Sequence, residues 1–145
     1  MDISGDAGVR AYGVSIEETF INAALGMYSL ITNPDGIKEA DNIVVEVEGY
    51  STEGLLVAWL NELIFRFDAY GFAGKRVEIL DFRFRIQDLT ASKADKQIYI
   101  KARLYGEGFD PERHEKRLLL KAATYHKLKI EKIDGIWQAD VIFDI

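Results

Sequence analysis

Cysteine is absent from this 145-residue chain, which removes thiolate zinc sites, sulfur nucleophiles and any disulfide or redox switch. Proline occurs twice and glycine twelve times, too seldom for a collagen-like repeat or a low-complexity linker. No run approaches the roughly 18 consecutive apolar residues that span a bilayer, so no membrane association is expected. Residues 1–10 show no charged stretch leading into an apolar run; without a secretory signal, the expected address is the cytosol. Basic residues are outnumbered 18 to 24, and the net charge of -6 argues against a broad phosphate-binding surface while leaving room for a small basic patch. Histidine occurs only as His114 and His126, with no His-x-x-x-His spacing. A nucleophile elbow, a Walker loop and a dinucleotide fingerprint are all missing.

What is present is enough for one core. Hydrophobic residues make up 48% of the chain, and a domain of this length hides roughly 70% of its unfolded surface. A single domain over residues 1–145 follows, with no internal repeat or linker. Ser15-Ile16-Glu17-Glu18 is a capping box, and behind it Phe20, Ala23, Ala24, Met27, Tyr28 and Ile31 recur at helical spacing until Asn33-Pro34-Asp35-Gly36 ends the helix. A second helix opens near Ser51 or Thr52 and runs towards Phe67, with a wide stripe of Leu55, Leu56, Trp59, Leu60, Leu63, Ile64 and Phe67.

The remainder alternates as strands do. Ile43, Val45 and Val47 oppose Glu46 and Glu48, and Ile98, Ile100, Ala102 and Leu104 form another apolar face. Val77, Ile79, Phe82, Phe84 and Ile86 alternate with a slip of phase between Ile79 and Phe82, the mark of a bulge or a break. Asp134-Gly135 separates the strand-like runs Leu118 to Lys132 and Ile136 to Ile145, a strong hairpin signal. In the last run Trp137, Ala139, Val141, Phe143 and Ile145 share a face. The expectation is an α+β fold: a largely antiparallel sheet packed with two main helices and closed by a C-terminal β-hairpin.

Three polar stretches stand out. Gly106 to His114 gathers Glu107, Asp110, Glu112, Arg113 and His114 around two glycines, a composition suited to binding, to supporting a partner-facing surface, or simply to a solvated connection. Ser4-Gly5-Asp6-Ala7-Gly8 sets one carboxylate in a small-residue turn where a ligand can approach closely. Lys121 to His126 places polar groups in an otherwise apolar run, and Asp144 stands one residue before Ile145.

Together these blocks resemble the archease family, proteins that accompany the RtcB-type RNA ligase of tRNA splicing. The resemblance covers Gly5 to Ile145. It rests on Asp6-Ala7-Gly8-Val9-Arg10-Ala11-Tyr12-Gly13, on Glu18 to Met27, on Leu60 to Phe65, on Gly106-Glu107 through Arg113-His114, on Lys121 to His126, and on Val141-Ile142-Phe143-Asp144-Ile145. Ile3 stands where the family often has histidine, and the family's first strand is expected to be missing or very short here.

The resemblance implies an accessory protein and not an enzyme. It would promote guanylylation and repeated turnover of the ligase, with RNA contacted indirectly through that partner. It also implies a divalent metal on Asp6, Asp144 and Ile145, with Ca²⁺ expected first and Mg²⁺ or Mn²⁺ as alternatives, since all-oxygen donors suit hard cations. Glu107, Asp110, Arg113, His114 and Lys121 are the candidates for the partner-binding surface. The competing expectation is an independent metal-dependent phosphoester or nucleotide hydrolase with His114 or His126 as general base.

Overall fold

A computed structural model describes residues 5–83 and 98–145. Ile3, Phe84 and Ile86 lie outside the described residues.

Helix α1 spans Ile16–Ile31 and helix α2 spans Thr52–Tyr70. Each starts at a serine. The Ser15 hydroxyl accepts the Glu18 N–H at 3.1 Å, and the Glu18 carboxylate reaches back to the Val14 N–H at 2.9 Å, so the capping box closes one residue ahead of the cap. Ser51 accepts the Gly54 N–H at 2.9 Å. The end of α1 is followed by one 3₁₀ turn, Pro34–Gly36, and α2 stops where Gly71 turns left-handed at φ +72. That stop comes three residues beyond Phe67, which is only partly buried.

Among the described residues the strands form two antiparallel sheets and not one. The first has the order β2-β4-β3, from Asp41–Gly49, Ile98–Gly108 and Phe72–Arg83. Its β3–β4 register shifts between Ile79 and Asp81, where the alternation slips in phase, and again between Gly74 and Arg76. At the second shift the chains nearly touch: a Cβ on Gly106 would stand 2.0 Å from the Ala73 carbonyl oxygen, so only glycine fits.

The second sheet centres on β7, Ile136–Asp144. Strand β1, Asp6–Gly13, lies along one edge of β7, and the short β5, Ala122–Ala123, and β6, Lys129–Ile133, share the other. Asp134 and Gly135 both take positive φ, +52 and +82, the two-residue turn that matches strand twist and closes the expected hairpin.

Two strand expectations are corrected. A first strand exists, eight residues long, and Asp6 is its first residue, not part of a turn. The run Leu118 to Lys132 is not one strand. The N–H groups of Arg117 and Leu118 bond the Ile31 and Leu30 carbonyls left open at the end of α1. A turn then separates β5 from β6: Leu128 N–H bonds the Tyr125 carbonyl, and Lys127 sits at φ +54.

Both helices and both sheets contribute to one core, which includes Phe20, Met27, Trp59, Leu63, Ile100, Leu104, Val141 and Phe143. Trp59 is fully buried and its indole N–H bonds the Phe20 carbonyl at 3.0 Å, tying α2 to α1. Packing this core against one face of β7 leaves the other face, with Asp140, Ile142 and Asp144, turned outward.

Candidate functional site

The β1–β7 register puts Asp6 directly opposite Asp144, at the first residue of one strand and the last of the other. Residues directly opposite in an antiparallel pair share a face, with Cβ atoms about 5 Å apart. The alternation of β7, with Ala139, Val141 and Phe143 buried, places both carboxylates on the outer face. Ile145 continues the strand. Its N–H bonds the Gly5 carbonyl at 3.0 Å, the Asp144 carbonyl accepts the Lys121 N–H at 2.8 Å, and the Ile145 side chain packs on the core. The end of β7 is thereby held from both sides. Opposite Asp144 on the far edge stands Ala122, whose methyl group leaves space.

This donor set fits a hard divalent cation. Both donors are carboxylate oxygens on one sheet face, the all-oxygen kind of ligand that hard cations take. Among the described residues no group of three or more His, Cys, Asp or Glu side chains is placed to hold a metal.

Further along the same face, Arg10 forms a fork with Asp140, Nε to Oδ1 at 2.8 Å and Nη2 to Oδ2 at 3.1 Å. Hydrogen bonding to Arg10, with its charge, holds the Asp140 carboxyl below its ordinary range.

The Gly106–His114 stretch builds a separate cluster. Glu107 is buried to 8% exposure and receives Arg113 Nη2 at 2.8 Å, Arg113 Nη1 at 3.2 Å and the Lys38 backbone N–H at 2.7 Å. His114, 4% exposed, meets the same carboxylate through Nε2 at 3.1 Å. Its Nδ1 accepts the Asp110 N–H at 2.8 Å, which assigns the ring proton to Nε2 as donor to Glu107. Bonding from Arg113, then from the Lys38 N–H, depresses the Glu107 carboxyl to about 2. Asp110 folds the turn: its side chain accepts the Glu112 N–H at 3.0 Å and its carbonyl accepts the N–H groups of Arg113 and His114. Phe109 lies between Phe67, which it meets edge-on, and the tilted ring of His114, with ring centroids 5.4 and 5.5 Å away.

Of the five partner-surface candidates, Glu107, Asp110, Arg113 and His114 thus meet in one place, and Lys121 stands apart beside Asp144. Glu107 and His114 face inward and order the loop; Arg113 is half exposed. Sequence reading missed the Lys38 backbone donor, which no side-chain pattern announces.

The whole chain, residues 1–145, matches the family model described as the archease protein family. It is 38% identical to the protein archease of Pyrococcus abyssi over 143 residues, covering 98% of this chain and 94% of that one. It is 37% identical to the Pyrococcus furiosus protein of the same name with the same coverage. The solution structure of protein 1598 from Methanobacterium thermoautotrophicum superposes with a TM-score of 0.76 at 31% identity, covering 100% of this chain and 96% of that one. A crystal structure from Thermotoga maritima, titled an archease and possible chaperone, shares the fold at a TM-score of 0.59 and 20% identity, covering 100% and 94%.

Proposed function

The chain belongs to the archease family, and we propose that it works as an accessory protein, activating an RtcB-type RNA ligase by promoting guanylylation and turnover with a divalent metal held at the β1–β7 edge. The observation that carries this reading is the register pairing of Asp6 with Asp144 beside the pinned Ile145. Asp6, Asp144 and the Ile145 terminal carboxylate would hold the metal, with Ca²⁺, Mg²⁺ and Mn²⁺ as the candidates. Such an ion supplies positive charge and open coordination positions for an oxygen ligand. The chain's own part is to keep two outward carboxylates together on a sheet face that the ligase can approach, with RNA contacted through the ligase.

A hydrolase would need a base beside the metal. His114 has both ring nitrogens engaged, with Asp110 and Glu107, and sits in the loop after β4. His126 is exposed in the turn between β5 and β6, where its backbone N–H bonds the Thr124 hydroxyl. Neither arrangement supports base catalysis, which favours the accessory role.

The test is the guanylylated fraction of a cognate ligase, measured with this protein at sub-stoichiometric ratio. A rise with the wild-type chain that is lost with Asp144→Ala is the expected result. An active ligase whose guanylylation does not respond to the wild-type chain contradicts it.

A further inference from the structure

Where the C-terminal ends of α1 and α2 meet the chain that follows β4, the side chains do not close. A cavity of about 230 Å³ opens between Ile31, Phe67, Phe109, Leu118 and Leu119. Its walls are fixed from several sides. The Phe109 N–H bonds the Gly71 carbonyl at 2.7 Å, and its ring is held between Phe67 and His114. The Thr32 hydroxyl bonds the Glu115 carbonyl at 2.6 Å and Arg117 Nη1 bonds the Ser29 carbonyl at 2.9 Å, so the segment is pinned along the last turn of α1. That pinning leaves apolar side chains uncovered: Leu120 is buried, but Leu118 is 37% and Leu119 68% exposed. Single exposed leucines are ordinary; two in succession beside an apolar cavity mark an interaction surface.

The rim has the opposite sign to the chain as a whole. Residues 112–121 carry Arg113, Lys116, Arg117 and Lys121 against Glu112 and Glu115, in a protein whose net charge is -6. Arg113 is engaged with Glu107 and Arg117 with Glu115. Lys116 lines the cavity, is exposed, and enters none of the ion pairs formed among the described residues.

We propose that this cavity is a docking site for an acidic peptide segment of a partner protein, which inserts one apolar side chain between Phe67, Phe109 and Leu119 and sets its carboxylates against Lys116 and the basic rim. The site is separate from the β1–β7 edge and does not rest on the metal reading. Its size selects a side chain over a cofactor, since sites for drug-sized ligands run to about 300–1,000 Å³. A ring-walled cavity that takes a single apolar anchor, with charge kept to the rim, is the arrangement in which a few residues carry most of the binding energy. The rim then sets the choice of partner, because it attracts an acidic segment and repels a basic one.

The probe is a fluorescein-labelled hexapeptide with phenylalanine and leucine at its centre and two aspartates on either side. It is titrated with the full chain by fluorescence anisotropy and located by ¹⁵N–¹H shifts. Control peptides replace the central pair by alanines or the aspartates by lysines, and decanoate stands for a lipid carboxylate. The variants Lys116→Glu and Leu119→Ser change exposed side chains and leave the pinning bonds in place. The aspartate peptide should bind saturably with shifts at Ile31, Phe109 and Leu119, and either variant or either control peptide should weaken binding at least about fivefold. Lys116→Glu should also raise affinity for the lysine peptide, a reversal that misfolding does not produce. Affinity should be the same in EDTA and in Mn²⁺. Absence of saturable binding below about 1 mM overturns the proposal. So do equal affinities for the aspartate and lysine peptides, decanoate binding in the cavity while the aspartate peptide stays free, and an affinity that follows Mn²⁺ but not Lys116.

Discussion

His114 presents Nε2 to Glu107 at 3.1 Å while its Nδ1 takes the Asp110 N–H at 2.8 Å, so one buried ring joins the end of β4 to the turn that follows it. The loop is a hydrogen-bonded unit, and its stability can be read against pH.

The Glu107 carboxyl is depressed from 4.5 to about 2, chiefly by Arg113 and then by the Lys38 N–H. A depressed carboxyl contributes stability that is fully present above its unfolded value and lost as pH falls through the folded one. The contribution of Glu107 should therefore disappear between about pH 4.5 and about pH 2. Urea denaturation across that window should show a shallower acid slope in Glu107→Gln than in the wild type. Parallel slopes would show that the carboxylate gains nothing from its partners.

Trp59 is fully buried with its indole N–H on the Phe20 carbonyl. Trp59→Ala should cost about 3–5 kcal/mol in equilibrium unfolding, from lost burial, the cavity and the orphaned carbonyl. A loss below about 1 kcal/mol would mean that the two helices are not joined there.

Gly135 sits at φ +82 in the two-residue turn between β6 and β7. Gly135→Ala should destabilise by about 1–2 kcal/mol, because a Cβ is disfavoured in that backbone region. Thermal unfolding of the variant measures it, and an unchanged midpoint would argue against the turn geometry.

The helices and the hairpin were legible in the sequence because their signals are local: serine caps, apolar spacing and Asp-Gly at the turn. The slip between Ile79 and Phe82 also marked a real register shift. What stayed hidden depends on distant partners. The apolar residues Leu118 and Leu119 read as strand, yet the backbone there is claimed by the open carbonyls of α1. Lys127 adopts a left-handed turn with no glycine to announce it. Asp6 and Asp144 could each be noticed, but alternation within one strand does not say which strand lies beside it.

Arg113 is half exposed over Glu107 and is the cluster's outward side chain. Arg113→Ala should lower activation of the ligase at saturating metal while leaving Mn²⁺ affinity unchanged, with guanylylation and dialysis as the two readouts. If both activation and unfolding midpoint are unaltered, the loop is a connection without a partner role.

The most direct measurement concerns the end of β7. Adding one residue after Ile145 keeps every side chain and converts the terminal carboxylate to an amide. Calorimetric titration with Ca²⁺ or Mn²⁺ should show binding weakened by about tenfold or more, near 1.4 kcal/mol, in the extended chain, and a comparable loss in Asp6→Asn. Affinity equal to the wild type in both variants would contradict a metal held by Asp6, Asp144 and the Ile145 carboxylate.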